Sequence, residues 1–111
     1  MDNSKGYDYY ISKIIDDIRF IIDNTKGVTN DDFEKDIILN NAICFRFIQV
    51  SENANKIPNN IKAIYPSIPW SKVSGLRNRI VHDYGNIQLD VVYSTIIEDL
   101  PNLLDELEKI K

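Results

Sequence analysis

At 111 residues, 43% of them apolar, the chain is long enough to build one core and short for two. Its 13 basic and 17 acidic side chains leave a formal net charge of −4, which excludes broad nonspecific attraction to nucleic acid and requires any such contact to come from a concentrated site. No apolar run reaches the roughly 18 residues of a membrane span, the start Met1-Asp2-Asn3-Ser4-Lys5 lacks a signal-peptide pattern, and the single cysteine, Cys44, cannot close an internal disulfide, so a cytoplasmic setting is expected.

Helical periodicity dominates the rest. Ile11, Ile14, Ile15, Ile18, Ile21 and Ile22 recur at helical spacing and predict a first helix over residues 8–24, ended by Lys26-Gly27-Val28. Thr29 reads as the N-cap of a second helix, with Asp31 and Asp32 in its first turn. That helix is expected over 30–56, bent near Leu39-Asn40-Asn41, with Phe33, Ile37, Ile43, Phe47 and Val50 buried and Pro58 as its stop. Cys44 falls in this stretch as a small core residue. A helical turn over 59–63 and the loop Tyr65-Pro66-Ser67-Ile68-Pro69 lead into a helix over 69–83, for which Pro69 suits the first turn and Gly85 the exit. The last helix runs over 89–110, kinked at Pro101, with Val92, Ile96, Leu100, Leu103, Leu107 and Ile110 as its stripe. No period-two alternation holds long enough to suggest a sheet. The expected architecture is all-α: one antiparallel bundle of about four to five helices spanning 1–111.

The segment Arg77-Asn78-Arg79-Ile80-Val81-His82-Asp83-Tyr84 gathers the most chemistry, including the only histidine. On a continuous helix of about 100° per residue, Trp70, Val73, Leu76, Ile80 and Val81 share one face and Arg77 falls in its middle. Tyr84 would stand above Arg77, Asn78 and His82 would share a flank, and Arg79 would point to the polar side as a solvated charge. A guanidinium in an apolar stripe needs partners. It either snorkels into a structural ion pair or serves a site, and a lone histidine beside a core is itself more often structural than catalytic. A second copy facing the first across a twofold axis would supply the partner surface.

Zinc binding is disfavoured, since one His and one Cys stand far apart, and no cofactor is expected. The glycines form no phosphate loop, nothing resembles a nucleophile elbow, and Glu52 and the acids near Asp31 read as a solvated face and a helix start. What the segment can support is phosphodiester cleavage of RNA without a metal. A histidine titrating near pH 6.5 moves protons, and an arginine fork matches phosphate oxygens. One histidine cannot be acid and base at the same instant, and a twofold dimer would supply two.

Arg77, four intervening residues, His82, one residue and Tyr84 resemble the Arg-x4-His-x-Tyr motif of the HepT-like members of the HEPN superfamily. Pro69-Trp70, Gly75-Leu76-Arg77-Asn78 and Val81-His82-Asp83-Tyr84 resemble the family's Pro-Trp, Gly-Leu-Arg-Asn and Val-His-x-Tyr segments. Glu52 and Ala54 resemble its Glu-Ala pair, and Leu100-Pro101-x-Leu103 its C-terminal helix. The likeness covers almost the whole chain. The segment Gln49-Val50-Ser51-Glu52-Asn53 departs from the usual Ile-Gly-Glu-Ala pattern. The resemblance implies a small all-α homodimer that acts as the ribonuclease toxin of a prokaryotic toxin–antitoxin pair. Its antitoxin would be a minimal nucleotidyltransferase that attaches AMP to the motif tyrosine. Arg77 and His82 would then be catalytic, Asn78 a supporting polar residue and Tyr84 the modified residue. Two other functions compete: a non-catalytic module that presents a nucleotide or substrate to a nucleotidyltransferase, which the acidic balance favours, and a purely structural dimerisation domain.

Overall fold

The periodic isoleucines do form the first helix, α1 (Tyr7–Thr25), and Ile11, Ile14, Ile15, Ile18 and Ile21 are buried along it. The structure is a computed structural model that describes residues 6–82 and 86–110, with Val81, His82 and Asn86 described by their backbone. Gly27 turns the chain out of α1 at φ 73°, a left-handed conformation that glycine adopts without strain. Thr29 caps α2 (Asn30–Lys35) by accepting from the Asp32 N–H at 3.1 Å, as its sequence position implies.

The second long helix breaks, though three residues earlier than the expected bend. Asp36 leaves helical geometry and caps α3 (Ile37–Asn55), its carboxylate accepting from the Leu39 N–H at 3.0 Å. Buried Asn40 stabilises the break. Its Nδ2 donates to the carbonyls of Phe33 and Glu34, which the end of α2 leaves without helical donors. The break also overturns one burial expectation: Ile37 opens α3 and is 68% exposed, while Phe33, Ile43, Phe47 and Val50 are buried.

α4 (Asn59–Ile64) follows Pro58, and the Trp70 indole N–H donates to the carbonyls of Lys62 and Tyr65 at its end. α5 (Trp70–Ser74) and α6 (Leu76–Ile80) are separated by Gly75. β1 (Val81–His82) and β2 (Asn86–Ile87) pair antiparallel, Val81 opposite Ile87 and His82 opposite Asn86, a small ladder that the sequence pattern did not suggest. The last helix is split into α7 (Leu89–Glu98) and α8 (Leu100–Glu108), with Pro101 in the first turn of α8, where its missing N–H costs little.

α1 and α3 lie antiparallel, since Tyr10 meets Lys56 while Asp17 meets Arg46. α8 closes against α1, where Arg19 pairs with Glu108, and α2 meets α7 through the Phe33 and Tyr93 rings at 5.9 Å. One apolar core joins these helices, Phe47 and Phe33 being its largest side chains with no exposed surface. Helix carries most of the described chain, in agreement with the all-α bundle.

Cys44 lies in that core, and burial pushes its thiol up to about 11. The raised value makes the neutral thiol the native form at neutral pH. Between the ordinary thiol range and about 11 the unfolded chain gains the thiolate first, so stability falls as pH rises through that window. A thiol reagent at about pH 8 is therefore expected to leave Cys44 unreacted in the native protein and to modify it at once in denaturant. Rapid native-state modification would show that the α1–α3 packing opens readily.

Candidate active site at the end of the motif helix

The elements that position the motif are built from the inside out. Val73, Leu76 and Ile80 are buried and seat α5 and α6 on α3 and α7. Ser51, buried on α3, donates its hydroxyl to the Ser74 carbonyl just before the motif helix. Sequence reading missed this anchor, although it falls in the one segment that departs from the family pattern. Space is tight at Gly75: a Cβ there would stand 3.2 Å from the Ser71 carbonyl oxygen, which would have to give by a few tenths of an ångström.

The motif helix stops at Ile80, not at residue 83. The Ile80 carbonyl accepts from the Gln88 N–H at 3.3 Å, and the chain continues as a strand. Two consecutive β-branched residues, Ile80 and Val81, favour that exit. The consequence for Arg77 is direct. The helix ends before Val81 and Trp70 turns half-buried toward α4, so the buried positions along α5 and α6 are Val73, Leu76 and Ile80. Arg77 is therefore exposed, not embedded in an apolar face, and so are Asn78 and Arg79. The expected shared flank of Asn78 and His82 required the helix to continue through residue 82, and it ends at Ile80; the expected position of Tyr84 above Arg77 falls outside the described residues. His82 lies on β1, two residues beyond the end of α6. Tyr84 lies outside the described residues.

The exposed arginines differ from the others in their partners. Arg46 is held by Asp17 at 2.9 Å and Arg19 by Glu108. Among the described residues, no carboxylate pairs with Arg77 or Arg79. Arg77 thus presents a free guanidinium fork from a rigidly seated helix, five residues ahead of the only histidine. Such a fork suits two oxygens of one phosphate. Among the described residues no group of three or more histidine, cysteine or carboxylate side chains gathers in metal-binding geometry, and no helix is long and apolar enough to cross a membrane.

The family model described as Ribonuclease HepT-like matches residues 14–110. The chain is 28% identical over 102 residues to a protein of Thermococcus cleftensis named "Probable ribonuclease HepT", covering 92% of this chain and 93% of that one. It is 32% identical over 110 residues to a provisionally named RNase of Methanocaldococcus jannaschii, covering 96% and 89% of the two chains. A provisionally named RNase of Caldanaerobacter subterraneus subsp. tengcongensis is 25% identical over 101 residues, covering 91% and 90%. No solved structure gives a significant match. The helical architecture, the Arg77-to-Tyr84 motif and a match over nearly the full length lead to one conclusion: the chain belongs to the HepT-like ribonuclease family.

Proposed function

We propose that the protein is a metal-independent endoribonuclease, the toxin of a cytoplasmic toxin–antitoxin pair, with Arg77 and His82 as its catalytic residues. The observation that carries this reading is Arg77, exposed and unpaired among the described residues, on a well-seated helix that leads into the strand bearing the only histidine, in a chain of a ribonuclease family. In the reaction, the ribose 2′-hydroxyl attacks the neighbouring phosphorus, and a histidine takes the hydroxyl proton. The P–O5′ bond breaks, and an imidazolium returns a proton to the leaving oxygen. The products are a 2′,3′-cyclic phosphate and a 5′-hydroxyl. Arg77 neutralises the charge that develops on the nonbridging oxygens. One imidazole cannot serve both ends at once, so the working unit is a homodimer whose motif segments face one cleft. Asn78, exposed beside Arg77, supports the phosphate with its amide.

Regulation follows from the motif tyrosine. A minimal nucleotidyltransferase antitoxin attaches AMP to Tyr84: the phenol oxygen attacks the α-phosphate of ATP and pyrophosphate leaves. The added phosphate places an anion next to the segment that binds RNA and competes for Arg77. The expected results are concrete. The purified protein runs as a dimer by light scattering at micromolar concentration and cuts RNA in the presence of a chelator, leaving cyclic phosphate ends. Co-expression with the nucleotidyltransferase adds one AMP mass at Tyr84 and suppresses toxicity. Tyr84→Phe keeps cleavage and escapes suppression. Suppression of toxicity with Tyr84 unmodified would refute the regulatory assignment, and loss of cleavage in chelator would refute the mechanism.

A further inference from the structure

Beside the motif helix lies a cleft of about 150 Å³ between α5–α6 and α7–α8. Its floor is apolar, formed by Val73, Leu76, Leu100 and Leu103. Lys72 and Arg79 stand on one rim, Glu98 and Asp99 on the other. Lys72, on α5, and Arg79, on α6, both line the cleft from the side of the motif helices. Opposite charges that face each other between helices tend to close into ion pairs, as Arg19 and Glu108 do between α1 and α8. Among the described residues, none of the four rim charges does so. Asp99 holds the N-cap position of α8, where an aspartate ordinarily accepts from the first turn, yet its carboxylate makes no capping bond. The cleft keeps both rims open.

A ligand that satisfies it carries an anion at one end, a flat apolar body in the middle and hydrogen-bond donors at the other end. A nucleotide of single-stranded nucleic acid has this pattern. Its phosphate accepts from Lys72 and Arg79, its base covers the Val73–Leu76–Leu103 floor, and an exocyclic amino group donates to Glu98 or Asp99. Cytosine, adenine and guanine carry that amino group. Uracil does not, and it brings carbonyl oxygens toward the carboxylates. A simple anion would leave the acidic rim unused, and a basic peptide would meet Lys72 and Arg79.

We infer that this cleft is a base-selective subsite for the RNA strand, holding a nucleotide that flanks the one cleaved. The inference rests on the ribonuclease reading above. Arg77 and Arg79 lie about 200° apart around α6, with exposed Asn78 between them, so a strand crossing this helix meets both arginines. Arg79 becomes a positioning residue, a role that its place on the polar side of the helix did not suggest.

The test uses the full-length protein and single-stranded 2′-O-methyl oligonucleotides, which bind but lack the attacking hydroxyl. In fluorescence anisotropy, Lys72→Ala/Arg79→Ala is expected to weaken binding by about tenfold or more, the loss of one to two charge-assisted contacts. The slope of log affinity against log salt is expected to fall by about 0.7, the value for one phosphate neutralised on a single strand. On cleavable RNA the same variant raises KM and leaves kcat within about twofold, because its contacts hold ground and transition states alike. The wild type prefers oligo(C) over oligo(U), and Glu98→Gln/Asp99→Asn abolishes that preference. Unchanged affinity and salt slope in the first variant, or no base preference in the wild type, overturns the inference. So does a shift of the Val73, Leu76 and Leu103 methyl signals by CMP without any response of oligonucleotide binding to the rim variants, which would mark a free-nucleotide site. Rim-dependent binding in a protein that cleaves no RNA would leave the subsite standing and refute the ribonuclease reading. Normal cleavage with rim-independent binding would do the reverse.

Discussion

His82→Ala is expected to lower RNA cleavage by roughly 10²–10⁴-fold, the usual cost of losing a general acid–base group. Arg77→Ala is expected to cost roughly 10²–10³-fold, the cost of removing one donor aimed at the developing charge. The two losses should fall mainly on kcat, which distinguishes them from the rim variants described above. Arg77→Ala should also leave the melting temperature unchanged, because Arg77 is exposed and has no ion-pair partner among the described residues. Arg77→Lys gives a sharper reading. It keeps the charge and loses the bidentate fork, so partial activity supports phosphate recognition by geometry as well as charge. Full activity in His82→Ala would remove the proposed mechanism. A collapse of stability in Arg77→Ala would return Arg77 to a structural role.

The largest expected effect on stability lies elsewhere, at Arg46. Asp17 is buried on α1, and among the described residues only Arg46 bonds its carboxylate and the second oxygen, Oδ2, has no hydrogen-bond partner. Burial raises the Asp17 pKa above the usual carboxylate range, and the Arg46 hydrogen bond and charge oppose that shift. Arg46 is also stacked on the Phe20 ring, its guanidinium carbon 3.9 Å from the centroid. Arg46→Ala therefore strands a buried carboxylate and uncovers an aromatic face. The expected cost is about 2–4 kcal/mol, below the full range for a buried pair because Arg46 is partly exposed. Asp17→Asn is expected to cost less, since the amide needs no counter-ion. The pH dependence identifies the cause. Removing Arg46 raises the folded-state pKa of Asp17 further, and the penalty for the ionised group exists only above that value. The deficit of Arg46→Ala should thus shrink between neutral and acidic pH, as Asp17 takes a proton. Denaturant melts at the two pH values measure this. A deficit independent of pH would assign the whole loss to the Phe20 contact.

Much of the architecture was legible in the chain because helical periodicity is a local property. The isoleucines of α1, the Thr29 cap, the stop at Pro58 and the stripe of Val92, Ile96, Leu100, Leu103 and Leu107 all report a face that any helical segment must bury. The Arg77–His82–Tyr84 spacing likewise pointed to the family before any coordinates. What the pattern could not reveal is which neighbour covers each face. Asp17 belongs to the core only because α3 brings Arg46 to it, and Ile37 is exposed only because Asp36 and Asn40 break the helix and start α3 anew. The end of α6 at Ile80 was also beyond local signals. A bond from Gln88, eight residues on, joins the Ile80 carbonyl where the chain turns into a strand, and the helix that was expected to enclose Arg77 stops there. The rims of the cleft come from segments about 20 residues apart in sequence, with no shared period to link them. The sequence alone therefore determined the helices, the apolar core and the chemistry of the motif, since these depend on residue type and spacing. Packing decided where the helices break, which charges stand free and what lies opposite them, since these depend on contacts between elements distant in the chain.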